Sequence, residues 1–100
     1  MPFFVKILTA PKPEMVGIKI PLVEGANLLG RSNPPCAIML EGVKVSKKHC
    51  SFHVTGKKLT IEDHNSSNGV YVNGKKTSNL ELKDRDRLVI GEYVLEVAVK

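Results

Sequence analysis

The stretch Cys50-Ser51-Phe52-His53-Val54-Thr55-Gly56-Lys57-Lys58-Leu59-Thr60-Ile61-Glu62 alternates apolar and polar residues on both sides of a glycine. A period of two marks a strand with one buried and one wet face, whereas a helix needs apolar residues three and four apart. Thr55-Gly56-Lys57 then reads as the turn of an antiparallel hairpin. Outward from here the same pattern recurs. Ile18 and Ile20 flank Lys19, and Tyr93, Leu95, Val97 and Val99 share one face of the last run. Asn73-Gly74, between Tyr71-Val72 and Lys75-Lys76, has the composition of a two-residue type I′ hairpin, whose positive φ angles suit Asn and Gly. Pro11, Pro13, Pro21 and Pro34-Pro35 confine their segments to loops or sheet edges. Helix could be argued only for residues 79–89, and the spacing of Leu80, Leu82 and Leu88 fits it poorly. Many short strands with frequent turns predict an all-β fold, a two-sheet antiparallel sandwich or a barrel.

Composition bounds the rest. One hundred residues, 42% of them apolar, suit one compact domain over residues 1–100, and a module excised from a longer protein is equally open. Aromatics are few, so Val, Ile and Leu must fill the core. Cys36 and Cys50 each lie beside apolar residues and do not form a secreted disulfide pattern; they read as reduced core groups of an intracellular protein, cytoplasmic or nuclear. Met1-Pro2-Phe3-Phe4-Val5-Lys6 breaks off too soon for a signal peptide, and no run approaches a membrane span. A soluble protein without membrane partners is expected. The net charge of +5, from 15 Lys and Arg against 10 Asp and Glu, favours anionic partners without choosing among them.

Three loop-like stretches carry the chemistry: Gly30-Arg31, Val45-Ser46-Lys47-Lys48-His49-Cys50 and Asn65-Ser66-Ser67-Asn68-Gly69. A phosphorylated side chain carries about −1.5 to −2 charges and three strong acceptor oxygens at neutral pH. An Arg fork such as Arg31 can give it two parallel hydrogen bonds. Ser46 adds a hydroxyl donor and Lys47 a point charge. Ser67 and Asn68 supply a hydroxyl and an amide able to pair with a main chain.

In this order, Gly30-Arg31, Cys36-Ala37-Ile38, Ser46-Lys47-Lys48-His49, Ser66-Ser67-Asn68-Gly69 and Val72-Asn73-Gly74 closely resemble the forkhead-associated (FHA) domain family. The resemblance spans Asn27 to Gly74. It implies a two-sheet antiparallel β-sandwich of about eleven short strands (FHA/SMAD-like) whose loops at one end bind phosphothreonine peptides. By position, Arg31 and Ser46 would contact phosphate, and Lys47 the phosphate or a neighbouring peptide residue. Ser67 would lie near the phosphate or the threonine side chain, and Asn68 would bond the peptide backbone. His49 would brace the loops, with Gly30, Gly69, Asn73 and Gly74 structural. Ala37, Lys47 and Val70 depart from the usual Asp, Arg or Asn, and Thr; none removes a primary phosphate donor.

The resulting expectation is a noncatalytic reader of a phosphothreonine protein, in trans or within its own longer chain, with no cofactor or metal. Ser46, His49 and Asp63 have the residue types of a hydrolytic triad, but no Gly-x-Ser-x-Gly elbow is present. His49, His53 and His64 lack the spacing of a tetrahedral metal site. A basic surface for nucleic acid or another polyanion is the alternative. Against it, no aromatic platform interleaves with Lys47-Lys48, Lys57-Lys58 and Lys75-Lys76.

Overall fold

A computed structural model describes residues 3–31 and 36–99. Ser32, Asn33, Pro34 and Pro35 and the terminal residues Met1, Pro2 and Lys100 lie outside the described residues. Eleven strands run in order: β1 (Phe3–Thr9), β2 (Lys19–Pro21), β3 (Gly25–Gly30), β4 (Ile38–Met39), β5 (Cys50–Thr55), β6 (Lys58–Asp63), β7 (Val70–Val72), β8 (Lys75–Thr77), β9 (Asn79–Leu82), β10 (Arg87–Ile90) and β11 (Tyr93–Val99). They form one sheet ordered β2-β1-β11-β10-β7-β8 and a second ordered β4-β3-β5-β6-β9.

The alternation places the core. Cys50, Phe52 and Val54 of β5 and Leu59 and Ile61 of β6 are buried, with Thr55 opposite Lys58 across the Gly56-Lys57 turn. They pack with Val5, Ile7, Leu88, Ile90 and Leu95 from the other sheet into one apolar cluster. Asn73 (φ 50°) and Gly74 (φ 87°) make the tight turn between β7 and β8, as their composition predicts. Asn73 does more than turn. Its Nδ2 donates to Asp86 Oδ1 (3.0 Å) and its Oδ1 accepts from Arg87 N–H (3.0 Å), tying the hairpin to β10.

Several elements differ from the plain alternating pattern. Residues 79–89 contain two strands that belong to different sheets: β9 pairs with β6, and β10 with β7 and β11. Only Ser78 separates β8 from β9, so the chain crosses from one sheet to the other at their edges. Among the described residues the sandwich holds one parallel pair, β3 with β4, at Leu29↔Ile38 and Gly30↔Met39. Ile18 is half-exposed: β2 is an edge strand and only Ile20 turns toward the core. Ser51 sits on the outer face yet is buried, its hydroxyl 2.7 Å from His64 Nε2. His53 pairs with Glu62 (2.8 Å) on that same face. Among the described residues, no helix is long and apolar enough to cross a membrane.

Cys36 and Cys50 are both free and buried. Burial pushes the Cys50 thiol far above its ordinary range, with the Asp63 carboxylate and Cys36 adding to the effect. An unfolded chain releases this proton near pH 9.0, whereas the fold retains it. The stability held below that pH is therefore lost as pH rises beyond it. Urea midpoints compared across this range should fall more steeply for the parent than for Cys50→Ala. A second expectation separates the strands at 79–89 from a helix. Leu88→Ala, deep in the core, should cost about 2–5 kcal/mol in urea unfolding, whereas Leu80→Ala, half-exposed on an edge strand, should cost under about 1 kcal/mol.

Candidate functional site

Three connections interlock at one end of the sandwich: the start of β3–β4 at Arg31, the β4–β5 connection and the β6–β7 connection. Arg31 N–H donates to Ser46 O (3.0 Å). Ser67 N–H donates to Ser46 Oγ (3.1 Å), and Asn68 Nδ2 donates to Lys44 O (3.1 Å). Fully buried His49 joins the same two connections. Ser46 N–H donates to His49 Nδ1 (3.0 Å), so that nitrogen carries a lone pair; Nε2 then carries the hydrogen and donates to Gly69 O (2.8 Å). Both ring nitrogens serve the backbone.

Close approach explains the glycines. A Cβ on Gly30 would overlap the Lys47 carbonyl and lie 2.7 Å from Cys36 Sγ. That thiol itself donates to Lys47 O (3.1 Å), so β3, the Lys47 carbonyl and Cys36 pack without room for a methyl group. Gly69 adopts φ +77°, which turns the chain after Asn68 and delivers its carbonyl to His49. The preceding turn is closed by Ser66, whose hydroxyl donates to Asp63 Oδ1 (2.5 Å) and accepts from Gly69 N–H (3.0 Å).

All five residues expected to touch ligand, Arg31, Ser46, Lys47, Ser67 and Asn68, line one cleft of about 210 Å³; Val43, Lys44 and Val45 complete its walls. Such a volume falls below the range of roughly 300–1,000 Å³ typical of drug-sized ligands. The ion pairs among the described residues involve His53, Arg85 and Arg87, and none involves Arg31, Lys44 or Lys47. Three cationic residues therefore border a small polar cleft without a paired carboxylate. Among the described residues Ser46 Oγ is engaged as an acceptor, which leaves its O–H to donate. Asn68 has one Nδ2 hydrogen and its Oδ1 beyond the bond to Lys44. Asn73 and Gly74 stand apart, in the β7–β8 turn.

Lys44, Glu92 and Tyr93 escaped the motif reading. Glu92, in the β10–β11 turn, accepts Val43 N–H (2.8 Å) and Lys44 N–H (3.1 Å) through its two carboxylate oxygens. Tyr93 donates its hydroxyl to Glu41 O (2.6 Å). Burial raises its pKa, and the Glu41 and Glu92 carboxylates add to this, so the phenol remains a donor. No local signal marks these residues; their partners lie about fifty positions away. The triad composition does not assemble as a triad. His49 has no nitrogen left to act as base, and Asp63 binds Ser66. Among the described residues, no cluster of three or more His, Cys, Asp or Glu could hold a metal ion.

The chain matches the FHA domain family over residues 27–91, a span containing all five cleft residues. The glycogen accumulation regulator GarA of Mycolicibacterium smegmatis is 29% identical over 89 residues, covering 89% of this chain and 56% of GarA. The chain spans 54–62% of the length of the curated relatives it matches. Among solved structures, the FHA domain of the CT664 protein from Chlamydia trachomatis matches with a TM-score of 0.89 at 23% identity, over 100% of this chain and 99% of that one. EmbR of Mycobacterium tuberculosis, in complex with a low-affinity phosphopeptide, matches with a TM-score of 0.87 at 26% identity, over 99% of this chain and 24% of that one. The matched span, the eleven-strand sandwich and the order of the cleft residues agree, and this chain belongs to the FHA domain family.

Proposed function

We propose that this chain is a noncatalytic module that binds phosphothreonine peptides and so makes a protein–protein contact conditional on phosphorylation, with residues 1–100 forming one FHA unit. One observation carries the reading: Arg31, Ser46, Lys47, Ser67 and Asn68, from three separate connections, share one small cleft with Lys44, and its cations enter no ion pair among the described residues. A phosphothreonine supplies the charge and acceptors that this donor set lacks. Arg31 gives two parallel hydrogen bonds to phosphate oxygens and Ser46 gives a third. Lys47 and Lys44 add positive potential. Ser67 sits beside the threonine ester, and the spare amide groups of Asn68 pair with the peptide main chain. Val43 and Val45 offer the threonine γ-methyl an apolar wall, worth about 0.8 kcal/mol or roughly fourfold over serine.

The phosphopeptide held by the matching EmbR structure supports this reading, as does the regulatory name of GarA. The partner is a phosphothreonine protein, or a phosphorylated segment of this chain's own longer protein. An intracellular compartment suits both the kinase this requires and the two free, buried thiols.

Calorimetric titration of a phosphothreonine peptide library, with phosphoserine and unphosphorylated controls, tests the proposal. Binding should require the phosphate. Arg31→Ala should cost about 2–5 kcal/mol, because a charged partner is stripped from the phosphate. Equal affinity in parent and variant would remove Arg31 from the site. A steep loss of affinity with salt, alike for every polyanion, would instead mark nonspecific binding. The brace has its own expectation. His49→Ala leaves Ser46 N–H and Gly69 O without their partner and should destabilise the fold by about 1–3 kcal/mol. Peptide affinity should fall with it, even at temperatures where the variant is fully folded by circular dichroism. Unchanged affinity under those conditions would separate His49 from the cleft.

A further inference from the structure

The phosphate cleft does not end at Arg31 and Val43. Both residues also border a shallower depression of about 520 Å³, walled by Pro11, Lys12, Glu41 and Glu92. That depression shares Pro11, Lys12 and Glu41 with a further hollow of about 270 Å³, floored by Met15, Met39 and Tyr93. Together they form a continuous groove running from the cleft toward the 3₁₀ turn at Pro13–Met15 and the edge strand β4.

The groove differs from the cleft in two ways. Its surface is apolar, and parts of it are unpartnered: Val43 is 87% exposed and Met39 42%. Its charge is also reversed. Glu14, Glu41 and Glu92 stand against Lys12, with Arg31 only at the junction with the cleft, whereas Arg31, Lys44 and Lys47 line the cleft itself. The Tyr93 hydroxyl lies in this field: burial first, and then the Glu41 and Glu92 carboxylates, act to keep it protonated. A ligand lying across both regions thus meets positive charge at one end and apolar surface with negative charge at the other.

We propose that this groove takes one arm of the phosphothreonine peptide, an arm bearing a large aliphatic or methionine side chain next to a lysine or arginine. The inference rests on the phosphothreonine reading and extends it to the substrate's flanking chemistry. Continuity through Arg31 and Val43 makes the peptide itself the occupant, because an extended chain leaving the cleft on that side enters the groove directly. Six extended residues reach about 20 Å, most of the way across a molecule 28 Å wide. The apolar residue fills the hollow over Met15 and Met39, and the basic residue faces Glu14 and Glu41. An acidic arm meets repulsion at the same place, so the reversal of charge also fixes the direction in which the peptide lies.

The test compares a minimal phosphothreonine peptide with peptides extended on either side by a Gly-Ser arm, an apolar-basic arm or an acidic arm, by fluorescence anisotropy. On one side, the apolar-basic arm should bind about five- to twentyfold tighter than the Gly-Ser arm, the acidic arm no tighter than Gly-Ser. Glu41→Lys should remove about two- to fivefold of that gain and relieve the penalty on the acidic arm. Met39→Asp should weaken the apolar contribution. Both side chains are exposed, and the affinity of the minimal peptide should stay within about twofold of the parent's. If arm composition changes affinity less than twofold, or if the variants weaken the minimal peptide as much as the extended one, the groove is not a peptide subsite and the phosphothreonine reading stands. If the minimal phosphopeptide itself does not bind, both readings fall.

Discussion

A buried imidazole holds the cleft end of this molecule together. His49 accepts from one connection at Ser46 and donates to another at Gly69, and no surface is left for it to do anything else. Few side chains can donate and accept at opposite ends of a rigid ring. An Asn is shorter, and a Lys only donates. Loops of this kind carry backbone groups that strands would otherwise pair, and a buried unpaired group costs as much as a lost hydrogen bond or more. By satisfying Ser46 N–H and Gly69 O together, His49 makes one shape of the two loops much better than any other. A site preorganised in this way loses less entropy on binding.

The brace is not confined to one sheet. Arg31, Ser46 and His49 arise from the β3–β5 side of the sandwich, whereas Glu92 and Tyr93 arise from the β10–β11 side and reach across to Val43, Lys44 and Glu41. Gly91 packs tightly against Val45 in the same region. The loop carrying Ser46 is therefore gripped by both layers, and its position depends on how the two sheets stack. The core of Val, Ile and Leu thus acts on the cleft directly, because any shift between layers would pull Glu92 away from the amides it caps. Charge is sorted by the same geometry. A chain with a net charge of +5 places lysines and an arginine on the cleft and carboxylates around the adjoining groove.

Much of this was legible in the amino-acid order. Alternation at Cys50–Thr55 and Lys58–Asp63, with the Asn73-Gly74 turn, is local information: side chains two apart face the same way whatever surrounds them. Arg31, Ser46, Lys47, Ser67 and Asn68, spaced far apart in sequence, meet at one cleft because loops of set length on a set framework bring them to one place. Elsewhere local pattern was a poor guide. Residues 79–89 divide between two sheets, a choice made by which neighbour strand each half can pair with. Ser51 is buried on an outer face because His64 from the next loop covers it.

What the order of residues determined alone was periodicity, turn chemistry and an inventory of cationic and hydrogen-bonding side chains in a recognisable succession. Tertiary structure decided that β3 and β4 would run parallel and that, among the described residues, the cleft cations would enter no ion pair. It also decided that Glu92 and Tyr93 would belong to the loop they hold. The physical reason is sequence distance: Glu92 and Val43 are separated by 49 positions, and a hydrogen bond between them has no signature until the sandwich has closed and brought its two layers together.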